Sequence, residues 1–125
     1  MKIEDRIEFI IKWIKEYCNT IKKQPVTLVL GVSGGIDSAV TSTICAKSKL
    51  NTIVISMPIN QNQNQHNLSI RHLEWLEKNF DNVTTYNISL EELFKVFKDT
   101  MRNFDNELAL ANSRARLRMM TLYQI

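Results

Sequence analysis

The chain reads as an α/β domain, an open doubly wound sheet of parallel strands. Three observations predict it. Short apolar runs rich in β-branched residues, Val26–Val32, Thr52–Met57 and Val83–Ile88, alternate with stretches of helical periodicity. The first run ends in a glycine turn that leads directly into a helix-like stretch, and in open α/β sheets ligands bind beyond such strand ends. No internal repeat or linker divides residues 1–125, so they read as one domain.

Each element has its own signal. Ile3, Ile7, Ile10, Ile14, Cys18 and Ile21 recur at three- and four-residue steps, giving an amphipathic helix over about residues 2–22, closed off by Pro25. Its opposite face mixes acids with bases, which suits packing on a core rather than lying on a membrane. Ser38–Lys49 reads as the helix after the first strand. Pro58 ends the second strand, and Gln61–Asn67 is a Gln/Asn-rich stretch expected to be a solvated loop. Leu68–Phe80 follows as a helix, with Leu68, His72, Trp75 and Leu76 near one face. Ser89 with Glu92 three residues on is a capping-box signature for a helix through about Met101. Leu108–Ile125 is the last helix, with Leu108, Ala111, Ala115, Met119 and Leu122 as its core stripe.

Composition narrows the class. With 125 residues, 44% hydrophobic and 23% charged, the chain is an ordinary globular protein with room for one core. A net charge of +3 suits an anionic small molecule but is too weak for a nucleic-acid binder. No run approaches the ~20 apolar residues of a membrane span. Glu4, Asp5, Glu8 and Lys12 break up what would be a signal peptide, so a cytoplasmic location is expected. Cys18 and Cys45 form no Cys-x-x-Cys pair and read as buried free thiols. His66 and His72 lack a Cys/His cluster and are expected at the surface.

The chemistry concentrates in Gly31-Val32-Ser33-Gly34-Gly35-Ile36-Asp37-Ser38. Gly34 and Gly35 allow positive φ and close backbone approach to a ligand. Successive loop N–H groups then form an anion-binding concavity, and the next helix aims its free N–H groups and positive dipole end at it. Ser33 and Ser38 add hydroxyls. Asp37 among phosphate donors makes sense with Mg²⁺ between carboxylate and phosphate; the plain alternative makes Asp37 a helix N-cap. A chance match to Ser-Gly-Gly-x-Asp-Ser is on the order of 1 in 10⁴ for a chain of this length. The ordinary P-loop is excluded, because no lysine follows these glycines until Lys47.

This turn resembles the PP-loop of the ATP pyrophosphatase superfamily, whose fold is adenine nucleotide alpha-hydrolase-like. The resemblance implies an ATP site over Gly31, Val32, Ser33, Gly34, Gly35, Ile36, Asp37 and Ser38, with Asp37 as a Mg²⁺ ligand. A second segment, Ala111-Asn112-Ser113-Arg114-Ala115-Arg116-Leu117-Arg118-Met119 followed by Tyr123, taken alone reads as a solvated basic face. It resembles a Gly-Asn-x-x-Ala-Arg-x-Arg-Met signature of the ammonia-dependent NAD⁺ synthetase family, with Ala111 in the glycine's place. On a helical wheel Arg116 falls on the flank with Asn112 and Tyr123, and Arg114 and Arg118 on the other. Met57-Pro58 also resembles the family, with Ser56 where some members place an arginine.

The resemblance implies ATP-dependent adenylation of deamido-NAD and amidation by ammonia to NAD⁺, AMP and pyrophosphate. Arg116 would contact deamido-NAD, and no protein nucleophile takes part. It further implies a homodimer. It covers about half of the family's length, so the chain is expected to be an N-terminal half, inactive alone. The alternatives are another PP-loop ligase, of the GMP synthetase or tRNA-modifying kind, and a non-catalytic nucleotide-binding remnant.

Overall fold

The computed structural model describes all residues, 1–125. The elements run α1 (Ile3–Asn19), β1 (Leu28–Val32), α2 (Ile36–Lys47), β2 (Thr52–Ser56), α3 (Gln63–Asn79), β3 (Val83–Asn87), α4 (Glu91–Thr100), a 3-10 turn (Arg102–Phe104) and α5 (Glu107–Gln124). The strands form one parallel sheet in the order β1-β2-β3, with Leu28 opposite Thr52 and Thr52 opposite Val83.

Strand alternation divides the core into two layers. Leu30, Val32 and Val54 face α2 and α3, where Ala46, Leu73 and Leu76 meet them. Val29, Ile53 and Ile55 face the other way, onto Leu90 and Phe94 of the α4 end and Leu110 and Leu117 of α5. Helices therefore cover both faces, as the doubly wound reading requires. Thr52, Val54, Ile55 and Ser56 are each at most 1% exposed, so β2 is the most enclosed strand. At its end, the buried Ser56 hydroxyl meets that of Ser69, 3.0 Å away.

Three local expectations change. Helix α3 starts at Gln63, so most of the Gln/Asn-rich stretch is helix rather than loop. The stretch carries its own start signal: Asn62 Oδ1 accepts from the Asn64 N–H at 2.8 Å, and Gln63 Nε2 donates to Asn67 Oδ1 one turn on. On α3 the buried residues are Ser69, Leu73 and Leu76, while Leu68 and Trp75 are exposed. Helix α4 has Leu90 as N-cap with no side-chain cap, so the Ser89–Glu92 capping box does not form; Ser89 Oγ accepts only from the Glu91 N–H, at 3.4 Å.

Helix α1 ends at Asn19, where Gln24 Nε2 donates to the carbonyls of Cys18 and Ile21. It packs against α2 but buries only Cys18 of its apolar face, and Ile3, Phe9, Trp13 and Tyr17 stay exposed. Both cysteines are free, Cys18 buried and Cys45 half-buried. Burial, and secondarily the neighbouring Cys18, push the Cys45 thiol up, which keeps it protonated and unreactive. No helix is long and apolar enough to cross a membrane.

Candidate functional site

The glycine turn closes on itself before it meets anything else. Ser33 N–H donates to Ser38 Oγ at 3.1 Å, and Gly35 N–H donates to Ser33 Oγ at 3.2 Å. The two hydroxyls lie 3.3 Å apart, and Gln61 Nε2 donates to the Ser33 carbonyl from the loop after β2. Two inward amides are thus satisfied and the turn is held in shape. The amides of Gly34, Ile36, Asp37 and Ser38 donate to no protein acceptor, the last three because they open α2. Four free donors in five residues, at a helix N-terminus, form an anion cradle.

The two glycines have different duties. Gly34 sits at φ +89°, and a Cβ there would run into the backbone carbonyl of Gln65 in α3. Gly35 is the N-cap of α2 at φ −84°, ψ 165°, extended backbone open to any residue. The expectation of positive φ at both positions is therefore corrected to Gly34 alone. Helix α2 starts at Ile36, two residues ahead of the expected Ser38, so Asp37 lies in its first turn and is not the N-cap. The Asp37 carboxylate is exposed and makes no hydrogen bond or ion pair with the protein.

A cavity of about 400 Å³ opens beside the turn. Gly31, Val32, Ser33 and Ser38 form one wall, Met57, Ile59 and Gln61 the floor from β2's end, and Ala115, Arg118 and Met119 the wall from α5. A smaller cavity of about 290 Å³ lies behind Gly34 and Gly35, bounded by Leu68 and His72. His72 is half-buried rather than at the surface. Its Nε2 lies 2.8 Å from the buried Ser42 hydroxyl, and burial lowers its pKa.

Helix α5 is rotated relative to its expected stripe. Leu108, Ala111, Ala115 and Met119 are exposed, whereas Leu110 is buried and Leu117 and Leu122 pack on the core. Arg114 and Arg118 share that inward side. Arg114 lies over the Phe94 ring at 5.6 Å, and Arg118 Nε donates to the Met57 carbonyl at 3.0 Å. Arg118 was missed from the sequence; its only signal was its place in the same Ala-Arg-x-Arg run. Arg116 is exposed and lines a separate cavity of about 600 Å³ with Asn112, Phe94, Phe97 and Met120. The structure thus brings the eight turn residues together, places Arg118 beside them, and sets Arg116 apart. Tyr123 is 84% exposed and is not among that cavity's lining residues.

A parallel α/β sheet whose first strand feeds a glycine turn and a helix N-terminus defines a ligand-binding α/β domain with its site at the strands' carboxyl ends. The family model described as NAD synthase matches residues 6–125, and the chain belongs to that family. It is 30% identical over 130 residues to the NH(3)-dependent NAD(+) synthetase of Mesoplasma florum, covering 100% of this chain and 50% of that protein. Among solved structures, NMN synthetase from Francisella tularensis superimposes with a TM-score of 0.84 at 29% identity, covering 99% of this chain and 50% of that one. The NH3-dependent NAD synthetase of Campylobacter jejuni, in complex with the nitrate ion, gives 0.83 at 28% identity, covering 99% and 52%. The chain spans about half the length of these relatives.

Proposed function

We propose that this chain is the ATP-binding half of an ammonia-dependent NAD⁺ synthetase. The observation that carries the reading is the set of four unpaired amides at Gly34, Ile36, Asp37 and Ser38, preformed around the positive-φ glycine. Such a cradle suits the phosphates of ATP. The Ser33 and Ser38 hydroxyls border the larger cavity beside the turn and add donors to phosphate oxygens.

The residues fit Mg²⁺. The single free carboxylate of Asp37, beside a phosphate cradle, matches the habit of this ion, which takes one or two carboxylates with phosphate and water oxygens. When bound, Mg²⁺ supplies charge neutralisation on the phosphates. The protein's own contribution is positioning: the turn fixes the phosphate chain so that the α-phosphate meets the carboxylate of deamido-NAD. That carboxylate oxygen forms a bond to the α-phosphorus as pyrophosphate leaves. Ammonia then displaces AMP from the acyl-adenylate, giving the amide. In this reading Arg116, exposed beside Asn112, receives the dinucleotide. No side-chain nucleophile enters, consistent with the raised Cys45 thiol.

A second reading changes only the carboxylate. The likeness to a Francisella NMN synthetase is within 0.01 in TM-score of that to the Campylobacter enzyme, 0.84 against 0.83, which makes nicotinate mononucleotide a competing acceptor. Calorimetric titration of the purified protein with ATP, with and without Mg²⁺, and then with each acid, tests both. Mg²⁺-dependent ATP binding is expected. Its absence contradicts the reading, and tighter binding of the mononucleotide selects the second acceptor.

A further inference from the structure

We propose that Arg118 is the cation of the phosphate cavity, its guanidinium holding an oxygen of the same polyphosphate that the glycine turn's amides cradle. The inference rests on the nucleotide reading of that turn and names a residue that reading does not require. Three observations lead to it.

Arg118 is anchored where the cavity needs a charge. Its Nε–H is committed to the Met57 carbonyl, just past the end of β2. That bond ties the side chain to the wall of the cavity that Gly31, Ser33 and Ser38 also line. The two terminal NH₂ groups remain as a fork, the geometry that suits phosphate oxygens.

The charge also has no counterion. The chain's only ion pair joins Lys12 to Glu16 on α1, and no carboxylate reaches Arg118. Burial, and secondarily the cation Arg114, weaken the hold on its proton. A half-buried cation without a partner is unfavourable, and an anion in the cavity would supply the missing charge.

The neighbouring arginines lack this placement. Arg114 is spent on the Phe94 ring, and Arg116 opens into a cavity that contains no residue of the turn. The distinction was invisible on the helical wheel, which put Arg114 and Arg118 on one equivalent flank. Only the packing of α5 on β1 and the Met57 carbonyl separates them.

The probe is inorganic pyrophosphate, titrated into the wild-type protein and into Arg118→Gln, Arg118→Lys and Gly34→Ala, with melting curves for each. Glutamine keeps a donor for the Met57 carbonyl but removes the charge. Arg118→Gln is expected to weaken pyrophosphate binding by about 10- to 150-fold, the worth of one charge-assisted hydrogen bond. Arg118→Lys, which retains the charge, is expected to bind more tightly than Arg118→Gln. Equal affinities in those two variants would reduce Arg118 to a tie between α5 and β2 and overturn the proposal. Wild-type affinity in Arg118→Gln, with binding lost in Gly34→Ala, would overturn the arginine's role and leave the nucleotide reading standing. Failure of the wild-type protein to bind pyrophosphate would overturn both.

Discussion

The turn from Val32 to Ser38 is held in shape by its own hydroxyls, whereas helix α5 depends on its partners. In the turn, Ser33 and Ser38 complete a closed set of hydrogen bonds within six residues, and only Gln61 reaches in from elsewhere. Helix α5 makes its contacts with elements distant in the chain: Leu110, Leu117 and Leu122 pack on the core, Arg114 on Phe94, and Arg118 on the Met57 carbonyl. A structure fixed by local geometry is written in its own residues. One fixed by tertiary contacts is written across the chain, and a short apolar stripe can misstate it.

Substitutions can break this contrast, and the largest effect falls at Gly34. An alanine there must hold φ near +89° and displace the Gln65 carbonyl. Strain of this kind costs about 1–3 kcal/mol. Gly34→Ala is expected to lower the urea midpoint and abolish ATP binding, while Gly35→Ala, at an extended φ and with its Cβ 3.3 Å from Ser33 Oγ, has the smaller effect on both. Equal behaviour of the two variants in a melting and titration series would show that the turn is not held by its backbone.

Asp37→Asn should act on function without acting on the fold. The carboxylate has no protein partner, so its loss removes at most the helix-dipole benefit of about 0.3–1 kcal/mol. Titrations should show that Mg²⁺ no longer strengthens ATP binding. A preserved Mg²⁺ effect would leave Asp37 as a first-turn acid and nothing more.

On the helix side, Arg114 and Arg116 should separate. Arg114→Ala removes a cation–π contact and is expected to lower stability by about 0.5–1 kcal/mol. Arg116→Ala, at an exposed position, should leave stability unchanged and weaken binding of the deamido-NAD acid while sparing ATP. Loss of ATP affinity in Arg116→Ala would mean that the two cavities form one site.

The smallest expected effect is a pH dependence at His72, which sits under the turn through Ser42. Burial lowers its folded pKa below the ordinary value of about 6.5, so the unfolded chain binds more protons. Stability is then greatest above the ordinary value and declines as pH falls from there toward the folded pKa. Melting temperatures in this window should show the slope, and His72→Gln should flatten it. An unchanged slope in the variant would assign the proton uptake elsewhere.

The sheet was legible because its strands are short runs rich in β-branched residues, most plainly the buried Thr52–Ser56. The turn was legible because Ser-Gly-Gly-x-Asp-Ser is rare by chance and stands between an apolar run and a helical stretch. Which glycine carries the strain was not, because the Gln65 carbonyl that decides it lies in another helix. Asn62 as a cap was hidden within a polar run whose composition suggested solvent. Periodicity located α5 correctly but not its rotation, since Arg114 and Arg118 pack inward where a hydropathy pattern places apolar residues.

The central claim is that the four unpaired amides of the turn take the phosphates. Backbone amide NMR of the isotope-labelled protein, recorded as Mg·ATP is added, tests it directly. The account predicts that the Gly34, Ile36, Asp37 and Ser38 amides shift most, with the Arg118 side-chain Nε–H, and that the Asn112 and Arg116 amides move little. Shifts centred on the Arg116 cavity, or no saturable shifts at the turn, would contradict it.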